Sequence, residues 1–273
     1  MRYLALATDY DGTIAHHGSV DDATIAALER CRTSGRKLIL VTGRELGELT
    51  RVFPRIDLFD RVVAENGALL YEPATRSEQP IGEPPPAEFV RELEKRGVAP
   101  ISVGRVIVAT WQPYDTIVHD VIRDLALELQ VIFNKGAVMV LPSGLNKAVG
   151  LQRALDSLKL SLHNTVGVGD AENDHAFLSA CECGVAVANA LDSVKSRVDW
   201  VTQLDHGAGV IQLIDDMIES DLAELNQRLT RHDLPLGETD DAAAVALPAY
   251  NGVMLVAGPS GAGKTTVTTA LVD

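Results

Sequence analysis

Aromatic side chains are scarce in this chain. They make up 4% of 273 residues, so a core must be built from aliphatic groups. Cysteine is scarce too: Cys31, Cys181 and Cys183 are an odd number. Cys181-Glu182-Cys183 has no second Cys/His pair at metal-ligand spacing, so buried or incidental thiols in a reducing cytoplasm are expected. No apolar run approaches the ~20 residues that a membrane span needs. The first apolar run is broken at Asp9, so no signal peptide is expected. Positive charge is the minority, 24 Lys and Arg against 38 Asp and Glu, for a net charge of −14. That balance argues against non-specific nucleic-acid binding and against an anionic membrane surface. It leaves phosphate substrates open, because local cations decide those.

What is present is an apolar content of 46%, enough for a sizeable core in one large or two modest domains. The run Tyr3-Leu4-Ala5-Leu6-Ala7 reads as a buried parallel strand, and Asp9-Tyr10-Asp11-Gly12-Thr13 follows it directly. Side chains alternate along a strand, so Asp9 and Asp11 share a side at the carboxyl edge, where open α/β sheets build their sites. One carboxylate can attack, and the other can move a proton or help hold a metal. The competing reading is a plain Asp/Gly turn.

Three more segments bear on that choice. Lys37-Leu38-Ile39-Leu40-Val41 is a strand ending in Thr42-Gly43-Arg44. Its hydroxyl can donate to a phosphoryl oxygen, and its glycine lets backbone approach closely. Lys147 opens a helical pattern over 148–158, and a cation at a helix start is unfavourable unless an anion lies beside it. Gly169-Asp170-Ala171-Glu172-Asn173-Asp174 follows a strand over 165–168. Asp170 and Asp174 are four apart, about one helical turn, so both can point into one site. All-oxygen ligands suit Mg²⁺. Singly, each segment has an ordinary structural explanation: a strand-end turn, a surface lysine, an Asp cap.

Together, D-Y-D-G-T, V-T-G-R, Lys147 and G-D-A-E-N-D resemble, in order, the four motifs of the haloacid dehalogenase (HAD) superfamily of phosphohydrolases. The resemblance covers about residues 1–220. The T-G-R and G-D-x-x-N-D forms, with Glu65-Asn66-Gly67-Ala68, are similar to the branch with a C2 cap. The resemblance implies Asp9 as nucleophile and Asp11 as general acid/base. It implies phosphate binding by Thr42, Gly43, Arg44, Asn66, Lys147 and Asn173. It implies Mg²⁺ held by Asp9, the Asp11 carbonyl and Asp170, with Asp174 close behind.

Strands (3–8, 37–41, 61–65) alternate with helices (21–34, 45–52). The rhythm resumes after 165 with helices 173–180, 191–197 and 207–219 and strands 184–187 and 199–202. That alternation predicts a doubly wound parallel α/β sheet. Between the halves, a Pro-rich stiff stretch (79–86) leads into helix 87–96, strand 101–109, helix 115–129 and a hairpin over 130–141. The expected layout is a discontinuous core (1–78 and 142–232) with a small α+β cap at 79–141. Its position resembles the C2 cap, and its size resembles archaeal-type phosphoglycolate phosphatases. Arg105, Lys135 and His119 are candidate cap contacts, with surface charge the better reading of each. His16 and His17 read as a solvated loop.

An acidic linker is expected at 233–250. After it, Gly258-Pro259-Ser260-Gly261-Ala262-Gly263-Lys264-Thr265 fits a Walker A loop. Gly258, Gly263, Lys264 and Thr265 would cradle nucleotide phosphates in a longer parent. With eight residues after Thr265 and no Walker B strand, useful nucleotide binding is not expected here. The expected function is Mg²⁺-dependent hydrolysis of a small phosphorylated metabolite, phosphoglycolate or a sugar phosphate. The alternatives are a phosphomutase, a receiver domain, and the phosphatase half of a P-loop fusion. No nucleic-acid or membrane partner is expected, and the cytoplasm is the expected location.

Overall fold

The computed structural model describes residues 1–226, 229, 233–247 and 255–266. It divides into two compact units, Met1–Ala223 and Glu224–Asp273.

The first unit opens with β1 (Ala5–Thr8), α1 (Asp22–Thr33), β2 (Lys37–Val41), α2 (Leu46–Val52) and β3 (Arg61–Ala64). β4 (Leu69–Glu72) and β5 (Ser77–Pro80) follow. An inserted layer holds α3 (Ala87–Lys95), β6 (Ser102–Val103), β7 (Val108–Trp111), α4 (Asp115–Asp124), β8 (Leu129–Asn134) and β9 (Ala137–Pro142). The chain then returns through α5 (Lys147–Leu158), β10 (Thr165–Gly169), α6 (His175–Ala180), β11 (Cys183–Ala186), α7 (Asp192–Lys195), β12 (Trp200–Val201) and α8 (His206–Ser220).

The core sheet runs β12-β11-β10-β1-β2-β3-β4-β5. It is parallel from β12 to β3, as the alternation predicts, with antiparallel β4 and β5 added at one edge. β1 lies between β2 and β10, so the strand order reverses there. The crevice beyond the carboxyl ends of strands at such a reversal is where open α/β sheets bind ligands. Asp9, Thr42 and Asp170 follow β1, β2 and β10 and therefore meet at it. The strands are almost wholly buried and aliphatic, with Leu6, Leu38, Ile39, Leu40, Val62, Val63, Val166 and Val168 out of water. Helix starts follow local chemistry: the Asp21 side chain accepts from Thr24 N at 2.7 Å and caps α1.

The inserted layer is a four-stranded antiparallel sheet, β6-β7-β9-β8. α3 and α4 cover one face and share a core of Phe89, Leu93, Val108, Val118, Val121, Val138 and Val140. The other face joins Ala68 and Leu145 of the core through Ile107, Met139 and Leu141. Two expectations shift here. The strand expected over 101–109 is two short strands separated by a turn, in which Gly104 N donates to Ile107 O at 2.8 Å. Gln79 and Pro80, expected to begin the cap, pair with Leu70 and Leu69 inside the core sheet. The edge pair β4–β5 carries a polar outer strand, Ser-Glu-Gln-Pro, which has no apolar pattern to announce it.

In the second unit, the segment expected as an acidic linker holds an antiparallel hairpin, β13 (Leu234–Glu238) with β14 (Ala244–Leu247). Thr239 N donates to Ala243 O at 2.9 Å and closes its turn. Leu234 and Leu236 alternate with Pro235 and Gly237, residues that are poor strand formers, so no strong strand pattern announces it. In the segment expected as a Walker A loop, Lys264 Nζ donates to Gly258 O at 2.9 Å and Pro259 O at 2.7 Å. Of the apolar run 253–257 expected as a strand before the loop, 255–257 are not in a strand, and 253–254 and the helix beyond 266 lie outside the described residues. Among the described residues, no helix is long and apolar enough to cross a membrane.

Candidate active site

Asp9 leaves β1 with its amide bonded to Val168 O at 2.9 Å, which fixes its Cα against β10. Its side chain is buried, and Lys147 Nζ donates to its Oδ1 at 2.5 Å. Lys147 is the first residue of α5, 1% exposed, and also donates to Asp174 Oδ1 at 2.5 Å. The anions that a lysine at a helix start requires are therefore these two carboxylates. α5 is placed by Asn146, whose side chain accepts from Ala148 N and Val149 N. It is also placed by Gly67, where a Cβ would meet Asn146 O at 1.9 Å.

Burial, and then the nearby Asp174 carboxylate, push the Asp9 carboxyl up to about 8 against the opposing pull of Lys147. Burial works against the Lys147 charge, yet Asp174 and Asp9 together hold its ammonium above the ordinary lysine value. Burial also raises Asp170, opposed by Lys135.

Asp174 uses its second oxygen to accept from Asp170 N at 2.8 Å and Ala171 N at 2.9 Å. It thereby shapes the loop that presents Asp170. Carboxylate oxygens of Asp9, Asp170 and Asp174 lie within 4.8 Å of one another. An all-carboxylate set with a nearby backbone carbonyl suits a hard divalent cation such as Mg²⁺. Asp9 and Asp170 fit that role best: Asp174 spends its oxygens on Lys147 and two backbone amides, whereas Asp9 Oδ2 and Asp170 Oδ1 face only the Thr13 hydroxyl, at 3.5 and 3.4 Å.

Asp11 lines the same cavity and is gripped by Arg44, with Nε at 2.6 Å and Nη2 at 2.7 Å from its two oxygens. Arg44 also pairs with Glu48. The guanidinium expected on the phosphate is thus committed to the second carboxylate of the D-x-D pair. Thr42 is buried, and its Oγ1 accepts from Arg44 N at 3.1 Å, so its own O–H remains to donate. Asn173 Nδ2 donates to Asn66 Oδ1 at 2.9 Å. That leaves the buried Asn66 Nδ2 and Asn173 Oδ1 with no hydrogen-bond partner. A buried unpaired amide donor beside Thr42 and Lys147 is what a phosphoryl oxygen would satisfy. Gly43 comes close enough that a Cβ would touch Asn173 Nδ2 at 3.6 Å.

A cavity of about 560 Å³ spans the core and the inserted layer. Asp9, Asp11, Gly43 and Arg44 form its floor; Ile107, Ala109, Trp111, Lys135 and Met139 face them. Lys135, at the tip of the β8–β9 hairpin, was expected as surface charge. It reaches instead to Asp170 Oδ2 at 2.8 Å and the Asp11 carbonyl at 3.3 Å. Arg105 keeps its expected surface role, paired with Glu78, and His119 is exposed on α4. His16 and His17 are exposed, with their rings tilted at 4.0 Å from each other, and His16 stacks on His206 at 4.4 Å. All three cysteines are buried.

Sequence reasoning named Lys135 as a candidate cap contact but weighed it as surface charge, and it missed two partnerships: the Asp11–Arg44 pairing, and the clamp of Asn189 Nδ2 and His206 Nδ1 on the Gly12 carbonyl at 2.8 and 2.9 Å. An Asn-Lys-Gly hairpin turn was legible, but nothing local says that its tip overhangs the centre.

A family model describing haloacid dehalogenase-like hydrolases matches residues 6–103 and 91–214. The chain belongs to that family. It is an enzyme of the HAD-like phosphatase type, a phosphoric monoester hydrolase.

Among named relatives, it is 29% identical over 219 residues to the phosphoglycolate phosphatase of Methanothermobacter thermautotrophicus, covering 77% of this chain and 96% of that one. It is 25% identical over 226 residues to phosphoglycolate phosphatase 2 of Saccharolobus solfataricus, covering 81% and 95%. Among solved structures, a HAD/COF-like hydrolase from Plasmodium vivax shares the fold with a TM-score of 0.69 at 20% identity, covering 81% of this chain and 96% of that one. A haloacid dehalogenase-like hydrolase from Bacteroides thetaiotaomicron does so with a TM-score of 0.67 at 16% identity, covering 79% and 99%.

Proposed function

We propose that this protein hydrolyses a small phosphorylated metabolite through an aspartyl-phosphate on Asp9, with phosphoglycolate or a sugar phosphate as the substrate. The observation that carries the reading is the Asp9 carboxylate held at 2.5 Å by buried Lys147, beside Asp170, at the floor of the cavity. The names of the relatives support phosphoglycolate. The residues between about 79 and 141 act as the cap that covers the leaving group, their start falling after β5.

A carboxylate can approach a phosphate dianion only where cations offset the repulsion. Lys147 does so from below, and Thr42 O–H and Asn66 Nδ2 donate to the phosphoryl oxygens. Mg²⁺ would be held by Asp9, the Asp11 carbonyl and Asp170, with Asp174 supporting. When bound it neutralises phosphate charge and aligns the group. Asp11 gives a proton to the leaving alcohol oxygen as Asp9 Oδ bonds to phosphorus, then takes one from the water that releases phosphate. Both Asp11 oxygens face Arg44. Proton transfer therefore requires one of them to turn toward the cavity, with Arg44 holding the other.

The test is phosphate release from a panel of phosphorylated metabolites, with Mg²⁺ or EDTA, on the wild type and Asp9→Asn. Metal-dependent release that the variant loses supports the reading. Release retained in Asp9→Asn overturns the nucleophile. An isomerised product in place of phosphate identifies the phosphomutase alternative.

A further inference from the structure

Glu65 is a buried acidic residue to which the reaction assigns no work. It is 1% exposed and sits in the turn between β3 and β4. Its side chain points across to the inserted layer. Oε1 accepts from Arg105 N at 2.8 Å; Oε2 accepts from Val106 N at 2.7 Å and Ile107 N at 2.9 Å. These three amides belong to the turn joining β6 to β7. That turn lies inside the cap sequence, far along the chain from the crossings that connect cap and core. A contact there restrains the lid away from its covalent crossings, on the side of the Arg105–Glu78 and Ser102–Glu45 pairs and apart from Lys135 at the hairpin tip.

Both sides are shaped for the contact. At Gly104, a Cβ would lie 2.6 Å from Glu65 Oε1, so the turn approaches the carboxylate through a residue without a side chain. Glu65 and Asn66 both take left-handed backbone, with φ of 53° and 54°. Non-glycine residues enter that region at a cost, and such outliers cluster at functional sites. The two consecutive turns send the Glu65 side chain to the cap and the Asn66 side chain to Asn173. The backbone of the pair is tied to the second motif: Glu65 N donates to Arg44 O at 2.9 Å and Asn66 N to Thr42 O at 3.0 Å. The turn that Glu65 holds carries Ile107, which lines the reaction cavity opposite Asp9 and Asp11.

We propose that Glu65 is a positioning residue: it latches the β6–β7 turn of the cap onto the core and thereby sets how the cap meets the leaving group. One carboxylate gathers three backbone donors that otherwise need water, so breaking the latch means solvating all of them together. The latch stands on geometry alone; its consequence for substrate selection rests on the phosphatase reading.

Hydrogen exchange of the full chain tests the latch, comparing wild type, Glu65→Gln and Gly104→Ala. Glu65→Gln keeps the shape but turns an amide NH₂ toward backbone donors. Gly104→Ala pushes a methyl into the carboxylate from the cap side, so the latch remains testable if Glu65→Gln does not fold. In each variant the amides of Arg105, Val106 and Ile107 are expected to exchange roughly tenfold faster or more, while those of β1, β2 and β3 keep their rates. Unchanged exchange at 105–107 in a folded variant overturns the proposal. In the kinetic arm, KM for the ester that the wild type hydrolyses best is expected to rise severalfold in both folded variants, with kcat changing little. Faster exchange with an unmoved KM would reduce Glu65 to a structural tie and overturn the positioning role. If the wild type releases no phosphate from any ester, the phosphatase reading fails, and exchange alone judges the latch.

Discussion

Lys147 Nζ lies 2.5 Å from Asp9 Oδ1, with both side chains almost entirely out of water. The same ammonium lies 2.5 Å from Asp174 Oδ1. One buried cation thus serves two buried carboxylates, and a phosphate arriving beside them adds negative charge that a divalent cation must offset.

Replacing Lys147 with Met should therefore cost stability as well as activity. Removing one partner of a buried ionic cluster typically costs about 3–5 kcal/mol, because the remaining charges stay buried. Urea unfolding is expected to show a loss of that order. Adding Asp9→Asn to the same chain should recover part of it, since one of the stranded carboxylates is then gone. A double variant as unstable as the sum of the two singles would argue against the coupling.

The Asp9 carboxyl is raised to about 8 by burial and by Asp174. An unfolded chain gives it an ordinary value near 3.8, so between those pH values the folded protein holds the proton more tightly. This group's contribution then makes the metal-free protein more stable as pH falls from about 8 toward 4, and less stable as pH rises. A cation bound to Asp9 must displace that proton. Mg²⁺ affinity is expected to be weaker at pH 6 than at pH 9, with proton release on binding. Calorimetry in two buffers of different ionisation enthalpy reads both; binding with no proton release at pH 7 would contradict it.

Asp11→Asn keeps the backbone carbonyl but removes the group that carries a proton. Turnover should fall by about 10²- to 10⁴-fold, the usual worth of a positioned general acid or base. Mg²⁺ binding, followed by calorimetry, should change little. A variant with wild-type turnover would take Asp11 out of proton transfer.

Lys264→Ala should leave phosphate release unchanged. In the described segment Lys264 bonds to the backbone of its own loop, at Gly258 O and Pro259 O. A large fall in kcat/KM for this variant would make the second unit part of the catalytic apparatus.

Much of the site was legible because its chemistry is carried by short segments at strand ends. Asp9, Thr42 and Asp170 each follow an apolar run whose burial the residues themselves dictate. The alternation of runs and helical patterns then puts those ends on one edge of a parallel sheet. Lys147 could be singled out for the same reason, as a cation at a helix start that wants an anion. The polar strand β5 and the hairpin at 234–247 were harder, because pairing there depends on a neighbour as much as on local pattern.

The sequence by itself determined the parallel core, the place of the insertion and the residues that meet at the reversal of strand order. Period and composition suffice when a whole strand must be buried. The tertiary structure alone decided which charges pair: Arg44 with Asp11, Lys135 with Asp170, and Glu65 with three cap amides. A charged side chain can satisfy itself with water or with any opposite charge within reach. Its partner is fixed when packing brings distant segments together and excludes the water that would otherwise serve.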